Sequence, residues 1–374
     1  MITHRARHWV AAIMLVLLVA AGFGCASQGV EVDPTKIPPL PNPQLEMVLR
    51  VNVGQAVRSA LVDLAEQLRD DPDTSRMTAD MYMSDEQDGL VLVFAKQAER
   101  DGAVALLAER LPNYDAEKTE EDDRFLLLAT PQEEEVTRIV HAAVDQSLPI
   151  LRDRLQRKAA AKKLPKNRRA RKELRPVFSL TPEYPDRILL RARGLLVEKD
   201  VRDVIRLGPR FEFKLMDAKA ASSADVAELL APHGATPPPG YRVYVQEHPL
   251  DKKAFFLLRD LPELTGKHIV AASAHRSTMG EWSVAVVFDE KAAAILAEIT
   301  GNNVNRRIPI LLDNRVLIAP IIRYTISKEA LISGNFDENE ARTLAFMLGL
   351  GAFPAGLEVV SAQGDGPSAR PDNP

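Results

Sequence analysis

The segment LLDNRVLIAPIIRYTISKEALISGNF, which runs from Leu311 to Phe336, predicts the fold of the region around it. Its apolar residues fall on either side of Asp313 and Asn314, and this pattern indicates a β-hairpin whose turn is that dipeptide. Pro320 cannot donate a backbone hydrogen bond to a sheet, so its strand is predicted to bend there or to lie at a sheet edge. The segment carries no metal-ligand set, nucleophile motif or phosphate loop, which argues against a catalytic role.

Helices are predicted on both sides of this hairpin. Asp289 has the pattern of a helix cap, and apolar residues recur behind it at intervals of three and four. Asp337 begins a second helix, with Glu340 as its capping-box partner. Residues 218–355 are therefore expected to form one α+β module.

The chain before this module alternates between strand and helix patterns. Residues 45–130 have the order β-α-β-β-α-β, which is that of a ferredoxin-like unit. Residues 131–217 have the order α-β-β-α-β and lack only a first strand, which residues 356–361 are expected to supply. The predicted fold class is α+β, with two ferredoxin-like β-α-β-β-α-β subdomains and the module 218–355 inserted into the second.

The N-terminus has the features of an export signal. Arg5 and Arg7 precede an uninterrupted apolar run from Val10 to Phe23, which is too short to span a bilayer comfortably. No later segment reaches the ~18 apolar residues of a spanning helix. Residues 1–24 are therefore predicted to direct export, and the mature chain is expected to be extracytoplasmic. The formal net charge of −4 gives no indication of nucleic-acid binding.

Cys25 is the only cysteine, which excludes a disulfide within the chain. It directly follows the apolar run and resembles the acylated cysteine of bacterial lipoproteins, so we predict that it anchors the mature protein to a membrane. Cleavage after Ala26, which would remove the cysteine and leave a secreted soluble protein, stays open as the alternative. Residues 25–44 are rich in proline and predict a semi-rigid tether, and residues 362–374 are expected to be a disordered tail.

Three further segments resemble the periplasmic domain of SecD, the accessory subunit of the bacterial Sec protein-export machinery. ELTGKHIVAASA and ISGNFDENEARTLAFMLGLGAFPAGLEVV resemble its head, and GPRFEFKLMD resembles part of its base. This resemblance covers most of the mature chain and identifies residues 218–355 as a SecD-like head. It implies a head that moves against its base and holds an emerging polypeptide. The proton-conducting membrane bundle of SecD has no counterpart in this sequence, so the chain alone is not expected to be proton-coupled.

The resemblance makes four apolar residues the candidate polypeptide-binding site: Leu317, Ile318, Ile321 and Ile322. The alternative is that these side chains are simply the core of the head. The expected function is a SecD-like accessory protein of export that binds translocating polypeptide or components of the Sec translocon. The alternative function is a non-catalytic scaffold lipoprotein of the cell envelope, which keeps the fold and binds folded partners.

No catalytic residue, cofactor or metal site is predicted, and the chain is not expected to be an enzyme. The histidines outside the signal region have no recognised ligand spacing, and His268 with His275 is the nearest pair. The carboxylates are numerous, but nothing in the sequence places two of them together in an apolar pocket.

The segment from Arg152 to Arg175 is strongly basic, with twelve lysines and arginines and only two acidic residues. One hypothesis is that it contacts anionic lipid headgroups close to the membrane anchor. The other is a solvated helix extension whose charge is balanced by the acidic run from Glu117 to Asp123. The sequence favours the second hypothesis, because charge runs are usually solvated faces.

Overall fold

The computed structural model describes residues 43–84, 87–121, 123–164, 166–206, 210–219, 222–247 and 253–364. The predicted export signal, Cys25 and its acylation, most of the tether and the chain beyond Gly364 lie outside these residues. No helix in the described ranges is both long and apolar enough to span a membrane.

The described chain consists of a base and a head. The base comprises β1 (Leu45–Val51), α1 (Val53–Asp70), α2 (Pro72–Met77), β2 (Thr78–Met83), β3 (Leu90–Phe94), α3 (Gln97–Arg110), β4 (Tyr114–Glu121), β5 (Arg124–Pro131), α4 (Glu133–Ala160), α5 (Arg168–Glu173), β6 (Val177–Glu183), β7 (Arg187–Arg193), α6 (Glu198–Arg206) and the C-terminal strand β17 (Leu357–Gln363). The head comprises β8 (Phe211–Phe213), α7 (Val226–Leu230), β9 (Tyr241–Glu247), β10 (Lys253–Arg259), β11 (Leu264–Thr265), β12 (Ile269–Arg276), β13 (Trp282–Phe288), α8 (Glu290–Asn302), β14 (Ile310–Leu312), β15 (Arg315–Ile318), β16 (Glu329–Phe336) and α9 (Glu338–Gly349).

Four antiparallel strands form the base sheet, in the order β17-β1-β7-β6. By position in the chain this order is 4-1-3-2. Alternate residues of β1 are buried, and Met47 and Leu49 are fully enclosed. Since β1 pairs on both sides, both of its backbone edges are satisfied, as a central strand requires.

The prediction that β1 is the first strand of a ferredoxin-like unit at residues 45–130 is wrong. The second sheet of the base has the order β2-β3-β5-β4, and β1 is not part of it. Residues 131–217 likewise do not take residues 356–361 as their first strand: β1 is the first strand of the base sheet, and β17 is its last. The edge strand β4 carries exposed charged residues, which suit an edge that must not pair with another chain.

Helix α4 joins the two base sheets into one core. It contacts strands of both sheets, and its buried face includes Ile139, Val144 and Leu151. One cluster of buried apolar side chains runs through both sheets and the helices α1, α4 and α6. The boundary predicted at residue 130 is therefore not a boundary between separate cores.

Strand β8 belongs to the head and not, as predicted, to the base. It pairs with β14, where Phe213 lies opposite Ile310, and with β11. Its two phenylalanines, Phe211 and Phe213, are buried in the head core with Phe288. The pairing of a short strand depends mainly on where its side chains can be buried. Because Phe211 and Phe213 are buried in the head core, β8 pairs with head strands.

The remaining head elements agree with the helix and hairpin patterns. The three-stranded sheet β12-β13-β16 packs on α8 and α9, while β9 and β10 form a hairpin of their own. Asp313 and Asn314 have φ of 48° and 63°, as a type I′ turn requires. Asp289 and the Asp337–Glu340 capping box cap the two helices as predicted. The α+β fold class is confirmed.

The two ends of the base sheet have different roles. At the chain-terminal end, β1 begins and β17 finishes, so Glu46 pairs with Gln363. At the head end, Val51 pairs with Leu357, where the chain returns from the head. The head is therefore connected to the base at the end opposite the one where both chain termini leave it.

Removal of β17 should destabilise the base. Truncation after Ala355 takes away one partner of β1 and exposes its backbone edge and its buried face. We expect the free energy of unfolding to fall by at least about 3 kcal/mol in urea titrations. Truncation after Gly364 should change it by less than about 0.5 kcal/mol. Equal stability of the two truncated chains would contradict the base-sheet pairing.

Candidate functional site

Head and base meet along helix α1 through a group of ion pairs. Glu66 of α1 accepts from three head cations: Lys267 Nζ at 2.5 Å, Lys291 Nζ at 2.6 Å and His268 Nε2 at 3.1 Å. Asp63 and Asp70, one turn to either side of Glu66, also contact Lys267 and Lys291. Because the acids lie on the base and the cations on the head, these contacts hold the two parts together.

His268 is the buried member of this group. Its Nδ1 lies 2.8 Å from Asp289 Oδ2, the cap of α8, while its Nε2 faces Glu66. The hydrogen bond to Glu66 raises the pKa of His268, burial opposes this, and Asp289 raises the pKa further. Protonated imidazole is thus favoured at the junction, where it donates to a carboxylate on either side.

The pKa of Glu66 moves in the opposite direction. Burial raises this pKa, but hydrogen bonds from His268, Lys267 and Lys291 outweigh burial and hold it well below its usual range. Glu66 therefore remains a carboxylate wherever the protein is folded and the junction keeps its charges.

A second, more deeply buried contact joins α1 to the head. Arg58 of α1 lies 2.7 Å from Asp260 Oδ1, and Asp260 is only 2% exposed. Tyr244 donates its hydroxyl to Asp260 at 2.7 Å, and the buried Lys214 donates to the Asp260 carbonyl. Burial raises the pKa of Asp260. The hydrogen bond and the positive charge of Arg58 lower this pKa and help to outweigh burial, so the pKa lies below its usual value.

The junction is polar and incompletely packed. The buried apolar side chains of the base and of the head form two main clusters, and Leu261 is the head side chain that packs with the base cluster. A cavity of about 210 Å³ lies between them and is lined by residues including Val62, Ile150, Phe211 and Phe353. A head joined by ion pairs beside a cavity can change position more easily than one sharing a continuous core.

The four residues predicted to bind polypeptide differ in how far they are buried. Ile322 is 2% exposed and lies in the head core, so its assignment to the binding surface is wrong. Leu317 and Ile318 are half-buried against the same core, and only Ile321 is exposed. The strand edge is also partly covered, since Gln246 donates its amide to the Leu317 carbonyl at 2.9 Å.

Sequence analysis did not identify the outer face of the head sheet β12-β13-β16. Helix α9 packs against its inner face through β12 and β13. The alternating outer residues form cross-strand rows. The central row is small or aliphatic, with Ser273 and Leu331 on either side of Ala285, and the next row has Ala271 and the acidic Glu329 on either side of Val287. Leu331 is 54% exposed. The signal that could have found this face is the alternation of buried and partly exposed positions along β13, which the sequence analysis did not consider.

The two outer strands of this sheet also have free edges. Within the described residues, β12 and β16 each pair only with β13. Val270, at the start of β12, is exposed as well. Unpaired edge strands can accept another extended segment through backbone hydrogen bonds, whatever the side chains of that segment.

No metal or catalytic constellation is apparent in the described part of the chain. The described residues contain no group of three or more His, Cys, Asp or Glu side chains arranged to hold a metal ion. His268 is engaged with two carboxylates, while His275 lies exposed on β12 opposite Ser283. The junction residues with shifted pKa values, such as Glu66 and His268, are members of the ion pairs between base and head.

Comparison with known proteins shows what the head and the rest of the chain are similar to. Residues 242–355 match the family model described as the P1 head subdomain of SecDF. This part of the chain is therefore similar to the SecDF head subdomain. Among curated relatives, the SecD translocase subunit of Syntrophobacter fumaroxidans is 27% identical over 342 residues, and that of Aquifex aeolicus is 25% identical over 328. Each alignment covers 88% of this chain and 59% of the relative.

These matches confirm the resemblance to the base and head of the SecD periplasmic domain. The chain spans about three fifths of the length of the SecD relatives. Two solved SecDF structures are also similar: one of a membrane component that enhances protein export, with a TM-score of 0.41 and 22% identity, and a super-membrane-facing form, with 0.40 and 20%. The first alignment covers 59% of this chain and 92% of the solved chain, and the second covers 83% and 34%.

Stability should depend on pH through His268. Because its pKa is raised in the folded state, its contribution is complete below the unfolded value of 6.5 and is lost as pH rises through the folded value. We expect the free energy of unfolding to fall as pH rises above the unfolded value and through the raised folded pKa of His268. His268→Gln should remove most of this fall, while the exposed His275→Gln should leave it unchanged. Identical pH profiles for all three proteins would refute the role of His268.

Two neighbouring isoleucines distinguish core from surface in the hairpin region. Ile322→Ala should lower the free energy of unfolding by about 2–4 kcal/mol, because it leaves a cavity in the head core. Ile321→Ala should cost less than about 1 kcal/mol, since that side chain is exposed. Urea denaturation of both variants measures the difference, and equal losses would disprove this placement.

Proposed function

We propose that this chain is an extracytoplasmic accessory protein of protein export whose head binds extended segments of translocated polypeptide. The similarity to SecD translocase subunits supports the export role. In this proposal the chain is non-catalytic, needs no cofactor and is not itself proton-coupled. It acts beside the Sec translocon while attached to the membrane through an acylated Cys25.

The outer face of β12-β13-β16 is the observation that carries the binding proposal. Its central residues are uncharged, and Leu331 extends from it into solvent. The face carries one acid near its end, Glu329 opposite Val287, and a surface with so few charges makes few demands on the side chains of a client. Clients in export differ in sequence, so this surface fits them better than a shaped pocket would.

The free edges of the same sheet provide the second half of the interaction. An extended client can add as a further strand to β12 or β16 and gain backbone hydrogen bonds that do not depend on its sequence. A folded protein protects its edge strands with charges, bulges or covering segments, so it pairs in this way far less readily than an unfolded chain. The head is therefore expected to select unfolded over folded chains.

Binding of a permanently unfolded protein tests this proposal. The wild-type chain should bind it with micromolar affinity and should bind its folded counterpart at least tenfold more weakly, as measured by fluorescence anisotropy. Leu331→Asp should weaken binding of the unfolded form about tenfold, which corresponds to about 1.4 kcal/mol. The interaction should persist at moderate salt, because apolar and backbone contacts are little screened.

Val360→Asp is the matched control, because Val360 is a similarly exposed aliphatic residue on the base strand β17. It should leave binding unchanged. Ile321→Asp tests the hairpin region separately from the sheet face. Equal binding of folded and unfolded forms would reject the export-client proposal and favour a scaffold that binds folded partners.

A further inference from the structure

The first half of the basic segment 152–175 is part of the base. Arg154 is 2% exposed and donates to the carbonyls of Val204 and Gly351. Lys162 lies 2.6 Å from Asp200, and Lys158 likewise pairs with acids of α6. Lys158 and Lys162 are thus paired with acids, and Arg154 is buried and hydrogen-bonded to the backbone, so none of the three is available to a partner.

The second half, from Lys163 to Arg175, is different. Its seven lysines and arginines are all exposed, and its single acid, Glu173, pairs with Arg169 at 3.4 Å. The acidic run 117–123 does not balance it: the described ion pairs of that run are Lys118 with Asp101 and Glu120 with Arg100. The sequence-based expectation that the acidic run neutralises the basic segment is therefore wrong for Lys163–Arg175. This stretch keeps an excess of six positive charges.

This basic stretch ends at the chain-terminal end of the base sheet. Leu195 donates its backbone N–H to the Leu174 carbonyl at 3.1 Å, and Gly194 donates to the Gln44 side chain at 2.7 Å. The approach is close enough that a Cβ on Gly194 would lie 2.5 Å from the Arg175 carbonyl. Gly364, where the described chain finishes, packs against Gln44 at the same place.

The chain before Gln44 leads back to the apolar run Val10–Phe23, which is the part of the sequence suited to a membrane. The basic stretch thus lies where the base receives the chain from that run, and the head is attached at the opposite end of the sheet. An extended tether of about twenty residues could hold the base some 60 Å from a bilayer. Charge attraction would instead bring this end of the base to the surface.

We propose that the stretch Lys163–Arg175 binds the anionic headgroups of the membrane, with the chain-terminal end of the base against the lipid and the head directed away from it. Exposed lysines and arginines attract acidic lipids within roughly one Debye length of the surface. Charge complementarity and the position beside the incoming chain both favour a lipid surface. This proposal is independent of polypeptide binding by the head.

Vesicle co-sedimentation tests the proposal with the chain starting at Leu40. The described residues from Pro43 onward belong to one compact unit that contains all the described apolar clusters, so we expect this chain to fold without the N-terminal apolar run. Partitioning onto vesicles with about one third phosphatidylglycerol should exceed that onto pure phosphatidylcholine at least tenfold at low salt. Half-molar sodium chloride should abolish the difference, because such contacts are screened.

A charge-matched pair of variants locates the contact. The test variant replaces five exposed cations of the stretch with glutamine: Lys166, Arg168, Arg169, Arg171 and Lys172. The control variant replaces five exposed cations elsewhere with glutamine: Arg76, Arg124, Lys219, Lys253 and Arg323. The test variant should lose at least tenfold in partitioning and the control less than threefold, with the melting temperatures of both unchanged.

Three outcomes would overturn the proposal. The first is equal partitioning onto the two kinds of vesicle, and the second is an equal loss in the two variants. The third is tight binding of the stretch to polyglutamate without any preference for anionic vesicles, which would assign it to an acidic protein partner.

Discussion

Strand β1 is held between two partners that lie far from it in the chain, β7 on one side and the C-terminal strand β17 on the other. The base sheet can close only after the whole head has been made, because β17 follows the head in sequence. Because the head lies between β1 and β17 in sequence, this pairing makes it an insertion that two chain segments connect to the base. It also places both chain termini at one end of the sheet and the head at the other, on which the positions of the binding face and of the basic stretch depend.

The head is attached by contacts that fix its position without merging the two cores. Ion pairs from α1 reach Asp260 and the group around His268, while Arg154 and Ser59 bind the carbonyls of Gly351 and Pro354 in the returning chain. Polar contacts of this kind are specific in geometry and respond to pH and salt. The outer sheet face of the head takes no part in these contacts, and Leu331 on it is exposed.

Local features could be predicted from the sequence, and long-range ones could not. The caps at Asp289 and Asp337 and the turn at Asp313–Asn314 depend on neighbouring residues, so their patterns are visible in the sequence. The partner strands of β1 and β8 lie from about 50 to about 310 positions away in the chain, so local patterns do not reveal them. Ile321 and Ile322 are adjacent and equally apolar, but only the fold determines which one is buried. His268 is bound by Glu66, an acid 202 positions away, so no spacing rule could reveal it.

Amide hydrogen exchange followed by mass spectrometry tests the central pairing most directly. If β1 is held between β7 and β17, peptides covering all three strands should share one high level of protection and should lose it together as denaturant is added. Fast exchange in Leu357–Gln363 alongside continued protection of Leu45–Val51 and Arg187–Arg193 would show that the C-terminal strand does not close the base, and would contradict this account.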